Sequence, residues 1–241
     1  MIKLIVDERE IEVEEGKTLL RACLESGVYI PNLCFLEEMK NPPASCRLCF
    51  VEVEGENKPA VSCKVEPREG MVVRTDTAAV RQLQRTALRL LLSAHRVDCR
   101  NCPSHKKCEL QRMARFLGVR LKSGQLEYLE RDISSCFAHP FITYEPLRCV
   151  LCGRCVFTCR EKNGYSLLTF AGRGFDTVVS FIGERDPARH SCNNCRACVE
   201  SCPVSAIFMK GSGIRGQGSG VSIPFPEVIW RTALSFFPIL F

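Results

Sequence analysis

Over residues 1–15, MIKLIVDEREIEVEE, apolar and polar positions alternate in two short runs that meet at Asp7–Glu8. Period-two alternation on both sides of a polar break predicts a β-hairpin. The period then changes. KTLLRACLESG (17–27) spaces its apolar residues three and four apart and stops at Gly27, which predicts a helix. After a cysteine-rich loop, LCFVEVEG (48–55), AVSCKVE (60–66) and GMVVRT (70–75) return to strand-like patterning. Two strands, a helix, the loop and further strands make a small α+β unit that ends near Asp76.

DTAAVRQLQRTALRLLLSAH (76–95) has the spacing of an amphipathic helix, with Asp76 or Thr77 as N-cap. A second cysteine loop leads into CELQRMARFLGV (108–119), which predicts a shorter helix. Residues 120–140 are polar, and a cysteine-dense stretch fills 141–208. GSGIRGQGSG (211–220) is a Gly/Ser segment, and 221–241 is apolar but holds three prolines, Glu227 and Arg231. The expected organisation is therefore 1–76, 77–120, a connector over 121–140, 141–210, and a linker with an apolar tail over 211–241.

Composition narrows the chemistry. The 241 residues include 17 cysteines, far above ordinary usage. A disulfide-stapled secreted chain is one explanation. The acidic N-terminal stretch without a signal-peptide apolar core, the odd cysteine count and the repeated C-x2-C steps argue instead for metal in a reducing, cytoplasmic setting. The formal charge of +6 counts every cysteine as neutral. About fifteen thiolate ligands on four cores of about +2 each would add roughly −7, leaving the loaded protein near neutrality. The basic residues then read as countercharge, and nucleic-acid binding is not expected. No run of eighteen apolar residues occurs, so no transmembrane helix is expected.

The cysteines fall into ordered sets. Cys149, Cys152, Cys155 and Cys159 follow C-x2-C-x2-C-x3-C, and so do Cys192, Cys195, Cys198 and Cys202. Pro203 completes the bacterial ferredoxin run, while Arg160 stands at that place in the first copy. Two-residue gaps let the backbone curl around a cubane, and the fourth cysteine leaves to ligate the other cluster. One [4Fe–4S] cluster is thus expected on Cys149, Cys152, Cys155 and Cys202, and another on Cys192, Cys195, Cys198 and Cys159. Structural zinc uses the same ligands, but zinc ribbons pair two C-x2-C knuckles and rarely trail an x3-C.

Cys34, Cys46, Cys49 and Cys63 form an N-terminal set for a [2Fe–2S] cluster. Its first gap of eleven residues departs from the plant-type C-x4-C, and zinc remains the alternative. The third set is His95, Cys99, Cys102 and Cys108, H-x3-C-x2-C-x5-C. A lone histidine ending a helix is ordinarily a capping or surface residue. Here it precedes three cysteines at ligand spacing, and a neutral imidazole can replace a thiolate on iron. Cys23 reads as a buried small apolar residue, and Cys136 as packing or a spare ligand.

In this order the sets resemble the N-terminal iron–sulfur region of iron-only hydrogenases. They also resemble the small diaphorase subunit of NAD-linked hydrogenases and the start of the large iron–sulfur subunit of complex I. The strings IPNLCFLEEM, CRLCFVEVEG, EGMVVRT, DCRNCPSHKKCELQ and CVLCGRCVFTC carry the likeness, over about residues 1–208. The resemblance implies an α+β chain: a β-grasp [2Fe–2S] domain, a small helical [4Fe–4S] module with one histidine and three cysteine ligands, and a two-cluster ferredoxin domain. It also accounts for the eleven-residue gap. One [2Fe–2S] and three [4Fe–4S] clusters follow.

The chain departs from those families after Cys202, where no cysteine and only 39 residues remain. No active site is expected. The reading is an electron-transfer subunit of an NAD(P)-linked hydrogenase, formate dehydrogenase or electron-bifurcating complex, a hetero-oligomer. Its expected partners are a flavin- and NAD(P)-binding subunit and a ferredoxin or catalytic subunit. A zinc-stabilised scaffold and an iron–sulfur redox sensor are the alternatives. Gly211, Gly213 and Gly216 spell G-x-G-x-x-G, but QGSGVSIPFPE is not the helix a dinucleotide fold needs. Trp230, Phe236, Phe237 and Phe241 suit docking onto a partner subunit better than lying on a membrane.

Overall fold

The computed structural model describes residues 1–122, 128–131, 133, 139–182, 192 and 195–211. Cys136, Gly213, Gly216 and the 221–241 tail with Trp230, Phe236, Phe237 and Phe241 lie outside the described residues.

The N-terminal alternation folds as expected. β1 (Ile2–Val6) and β2 (Arg9–Val13) pair antiparallel with Ile2 opposite Val13 and Val6 opposite Arg9. Asp7 and Glu8 turn the hairpin with φ of 47° and 68°, the left-handed pair that a two-residue type I′ turn demands. Asp7 offsets the strain of its turn by accepting hydrogen bonds from the Thr75 N–H, at 2.8 Å, and from the Thr75 hydroxyl. α1 (Leu19–Glu25) starts at Thr18, whose side chain accepts from the Arg21 N–H, and buries Leu19, Leu20, Ala22 and Cys23. β3 (Phe50–Val53), β4 (Ala60–Val61) and β5 (Val72–Arg74) complete a mixed sheet ordered β2-β1-β5-β3-β4, with β5 parallel to β1. The stretch 60–66 differs from its strand-like pattern: only two residues pair, and Ser62–Lys64 form a 3-10 turn. The Ser62 N–H and hydroxyl both bond the Cys49 carbonyl, so the turn fixes Cys63 beside Cys49.

α2 (Ala78–Ser93) is capped by Thr77, whose hydroxyl accepts from the Val80 N–H at 3.2 Å. Its buried stripe includes Val80, Ala87, Leu88 and Leu92, and also Gln84. The Gln84 amide bonds the Phe50 carbonyl at 3.1 Å and accepts from Arg81, so this buried polar group ties α2 to β3 without an unmet partner. α3 (Glu109–Leu117) ends at Gly118, which takes φ of 64°. Arg85 donates to the Leu117 carbonyl, satisfying one of the orphan acceptors at that helix end.

The third part pairs β6 (Ile142–Tyr144) with β9 (Ile207–Met209), antiparallel, with Tyr144 opposite Ile207. Between them lie α4 (Arg154–Asn163), a hairpin of β7 (Leu168–Ala171) and β8 (Val178–Phe181), and the short α5 (Ala197–Glu200). The hairpin was not expected from the pattern of chemistry-bearing residues, although LTFA and VVSF flank its Gly172-containing turn. A Cβ on Gly172 would fall 2.5 Å from the Asp176 carbonyl oxygen, so the turn admits only glycine.

Two cores hold these parts. One lies beneath the N-terminal sheet and includes Leu4, Leu20, Ile30, Val51 and Val73, with Cys49 and Cys63. The other is continuous from Leu33, Cys34, Cys46 and Leu48, through Leu88, Met113 and Leu117, to Ile142, Val179 and Ile207. Backbone bonds cross the same joints: Arg96 to Leu147 at 2.7 Å and Glu109 to Pro203 at 3.2 Å.

Leu88 is fully buried in this second core, whereas Leu90 is 58 % exposed. Leu88→Ala is expected to cost about 2–5 kcal/mol and Leu90→Ala within about 0.5 kcal/mol, read as anaerobic urea midpoints. Burial, and then the charge of Asp7, pushes the Cys23 thiol up to about 12. On the order of a thousandth of it is thiolate at pH 9, so Cys23 should resist iodoacetamide in the folded protein and react once it is unfolded; peptide mass spectrometry reads both states.

Candidate metal centres

Among the described residues all sixteen cysteines are unpaired by disulfides. The fold gathers them into groups.

Cys34, Cys46, Cys49 and Cys63 are all buried where the two cores meet. Their loop bends through left-handed φ of 53° at both Ala44 and Arg47, which turns successive cysteines toward one centre. The sulfurs of Cys34 and Cys46 lie 3.4 Å apart. Hydrogen bonding between Cys34 and Cys46 and between Cys49 and Cys63 holds the thiols of Cys34 and Cys63 down and pushes those of Cys46 and Cys49 up. Cys46, Cys49 and Cys63 each feel the charge of two others of the set. The structure thus brings the whole predicted set together.

His95 follows α2 and is 8 % exposed. Its Nδ1 lies 2.8 Å from the Arg148 carbonyl oxygen. A carbonyl only accepts, so Nδ1 carries the proton and Nε2 keeps its lone pair. Burial lowers the imidazole pKa further, which leaves it neutral near pH 7. This is the tautomer and orientation of a metal-binding histidine, with a backbone carbonyl behind it. Cys99 and Cys102 bracket a 3-10 turn and Cys108 precedes α3. Burial raises Cys108, the N–H groups of Gln111 and Leu110 lower it, and the charges of Cys102 and Cys99 raise it.

In the third part the groups cross over. Burial raises Cys155, and next come the charges of Cys152, Cys149 and Cys202, followed by that of Cys198. Cys149, Cys152, Cys155 and Cys202 all line one enclosed cavity with Val179 and Ile207. Cys198 is pushed up to about 12 by burial and then by Cys159, Cys195 and Cys192. Cys202 therefore sits with the first run's first three cysteines, and Cys159 is close enough for its charge to act on Cys192 and Cys198. α4 carries Cys159 away from Cys155 by one helical turn, and the 198–202 segment does the same for Cys202, so the exchange follows from helix rise.

Backbone and side-chain donors point at these sulfurs. The N–H groups of Leu151 and Ala206 reach Cys149 and Cys202 at 3.4 and 3.3 Å, and the Asn163 amide reaches Cys159 at 3.6 Å. The Nε atoms of Arg131 and Arg154 are buried without a hydrogen-bond partner. Burial raises the thiols of Cys149 and Cys152, and these two guanidiniums work against it, Arg131 on Cys149 and Arg154 on Cys152. Spacing identified the cysteines but not Arg131, Arg154, Asn163 or the Arg148 carbonyl; none belongs to a ligand pattern.

Electrostatics says what such groups can hold. Two thiolates about 4 Å apart repel by about 4 kcal/mol at an effective dielectric of 20, and a domain's whole stability is about 5–15 kcal/mol. Four buried thiolates are tolerable only around a cationic centre, and the inward N–H and guanidinium groups fit an anionic cluster-plus-ligand assembly. Among the described residues, no three His, Cys, Asp or Glu take the spacing of a single-ion site.

Comparison with known proteins agrees with this donor set. Residues 1–78 match a 2Fe-2S iron-sulfur cluster binding domain, 84–122 the iron-sulfur binding region of NADH-ubiquinone oxidoreductase-G, and 189–208 a 4Fe-4S binding domain. The NADP-reducing hydrogenase subunit HndD of Solidesulfovibrio fructosivorans is 36% identical over 214 residues, 86% of this chain and 36% of that protein. An NADH-quinone oxidoreductase subunit of Rhizobium meliloti is 36% identical over 211 residues, 86% of this chain and 24% of that one. The NADPH-Fe(3+) oxidoreductase subunit alpha of Geobacter sulfurreducens is 30% identical, over 90% of this chain and 25% of its own. The chain therefore spans about a quarter to a third of these curated relatives. A chain of an NAD+-reducing [NiFe]-hydrogenase superposes with a TM-score of 0.73 at 28% identity, covering 90% of both chains. Over most of its length, in sequence and in backbone, this chain resembles the iron–sulfur subunits of NADH- and NADP-linked oxidoreductases and carries their 2Fe-2S and 4Fe-4S binding domains.

Proposed function

We propose that the chain is the iron–sulfur electron-transfer subunit of a multi-subunit NAD(P)-linked oxidoreductase: a hydrogenase, a formate dehydrogenase or a flavin-based bifurcating complex. It passes electrons between a flavin- and NAD(P)-binding subunit and a ferredoxin or catalytic partner. The observation that carries this reading is that Cys202 lines one cavity with Cys149, Cys152 and Cys155 of the other run, an arrangement that a pair of independent zinc knuckles does not need.

Cys34, Cys46, Cys49 and Cys63 would hold a [2Fe–2S] cluster in domain 1–76, whose strand order around α1 supports a β-grasp ferredoxin. His95 through Nε2, with Cys99, Cys102 and Cys108, would hold a [4Fe–4S] cluster in module 77–120. Cys149, Cys152, Cys155 and Cys202 would hold a second, and Cys192, Cys195, Cys198 and Cys159 a third, in domain 141–210. When bound, these groups supply one-electron carriers. The residues around them exclude water, fix the ligands and donate to sulfur, which sets each potential. The continuous core from Leu33 to Ile207 keeps the centres in a fixed relation, so that transfer needs no domain motion. No helix among the described residues is long and apolar enough to cross a membrane.

Anaerobically purified protein should hold about fourteen irons per chain, from one two-iron and three four-iron clusters, with matching acid-labile sulfide; a zinc-loaded, iron-free, colourless protein would overturn the reading. Cys202→Ser and Cys155→Ser should disturb one and the same EPR signal, and Cys159→Ser and Cys198→Ser a different one. If Cys202→Ser groups with Cys198→Ser instead, the exchange is wrong. His95→Cys should leave iron content nearly intact and alter one signal, and an unchanged spectrum would remove His95 from the ligands.

A further inference from the structure

Charge is unevenly spread along this chain. Residues 1–76 hold fifteen acids against ten lysines and arginines, whereas 77–122 hold eleven lysines and arginines against two acids, Asp98 and Glu109. A centre ligated by one neutral histidine and three thiolates on a core of about +2 carries about −1. The surplus of nine positive charges in 77–122 is far more than such a centre needs as countercharge. The fold gathers much of it on one face. Arg89 of α2, Arg96 and Lys122 line a groove of about 360 Å³ together with His95. Lys106, Arg115 of α3 and Arg120 line a second of about 670 Å³. Leu121 belongs to both, so the grooves adjoin, and no carboxylate lines either. Among the described residues, none of these six cations makes a side-chain hydrogen bond or an ion pair. Lys3, Lys17, Arg21 and Arg68 of the N-terminal domain, by contrast, all pair with glutamates. Six unpaired like charges on one face repel one another, and an anionic partner relieves that cost.

We propose that this basic face docks an acidic ferredoxin, and that the centre of His95, Cys99, Cys102 and Cys108 is where the chain exchanges electrons with it. The proposal rests on the electron-transfer reading above. A ferredoxin suits the face by its own chemistry, because four thiolates on a core of about +2 leave each of its clusters at about −2. His95 itself lines the first groove, so a carrier seated there lies against a ligand of the centre. One electron passes from the reduced ferredoxin to that centre, or back; no bond breaks and no proton moves. The acidic domain 1–76 repels the same partner, so the asymmetry of charge selects the face as well as attracting the carrier. A water takes up about 30 Å³, so both grooves admit a partner's side chains rather than a single ion.

The test is stopped-flow electron transfer from a reduced, acidic two-cluster bacterial ferredoxin to the anaerobic, full-length holoprotein. At about 50 mM salt, Arg89→Glu with Lys122→Glu, and separately Arg115→Glu with Arg120→Glu, should each lower the second-order rate constant about tenfold. Arg9→Glu with Lys58→Glu makes the same change of charge on exposed positions of the acidic domain and should stay within about twofold of wild type. Raising the salt to about 500 mM should slow wild type and bring all four proteins together. A salt-independent wild-type rate, groove variants within about twofold of wild type, or a control pair that slows as much as they do would overturn the proposal. So would groove variants that lose affinity only for a double-stranded oligonucleotide. In each of these cases an iron-loaded protein that dithionite still reduces keeps the electron-transfer reading intact, whereas wild-type protein without iron overturns both. If the variants lose iron, carbodiimide cross-linking of wild type to the ferredoxin decides. Cross-links at Lys106 or Lys122 are expected, and cross-links confined to lysines of 1–76, or none at all, refute the docking face.

Discussion

Thiolates repel one another, and burial penalises each of them again. That pair of costs governs this chain more than any hydrophobic pattern does. Burial first, with neighbouring thiols adding to it, holds Cys152 and Cys198 up at about 12. To hold such groups ionised, a protein needs a cationic centre in each gathering, and it must build the surrounding backbone to serve that centre. The short elements follow from this. Strands of two to five residues and, apart from the sixteen-residue α2, helices of four to ten residues leave loops free to curl, with left-handed φ at Ala44, Arg47, Leu151 and Gly153 aiming sulfurs and N–H groups inward.

The second consequence lies at the joints. Loops that wrap metal centres supply little apolar surface, so each part is small and poorly able to stand alone. The chain answers by sharing cores. Leu33 and Leu48, from the first cysteine loop, pack into the same cluster as Leu88, Met113 and Ile207. Tyr29 meets Phe116 edge-on at 4.9 Å, and Arg81 and Arg112 lie over those two rings. His95 is held by a carbonyl 53 residues away. Packing that stabilises the parts also fixes the spacing between the centres, and a relay of electrons depends on that spacing.

The donors around sulfur add a layer independent of ligand identity. Arg131, Arg154 and the Leu151 and Ala206 N–H groups all act on the sulfurs of Cys149, Cys152 and Cys202. Their common sign is positive toward sulfur, and they come from separate stretches of chain. No local motif encodes such a convergence.

Much was legible in the sequence. The period-two hairpin around Asp7–Glu8 and the 3.6-residue stripe of α2 with its Thr77 cap rest on interactions within a few residues. There, backbone geometry follows directly from residue type. The tertiary structure alone decided the rest. It shortened the strand at 60–66, because Ser62 bonds back to Cys49. It inserted the β7–β8 hairpin whose Val179 N–H reaches Tyr144, and it chose the Arg148 carbonyl to set the tautomer of His95. Each of these is a contact between residues 13 to 53 positions apart, set by how the cores close rather than by any local pattern.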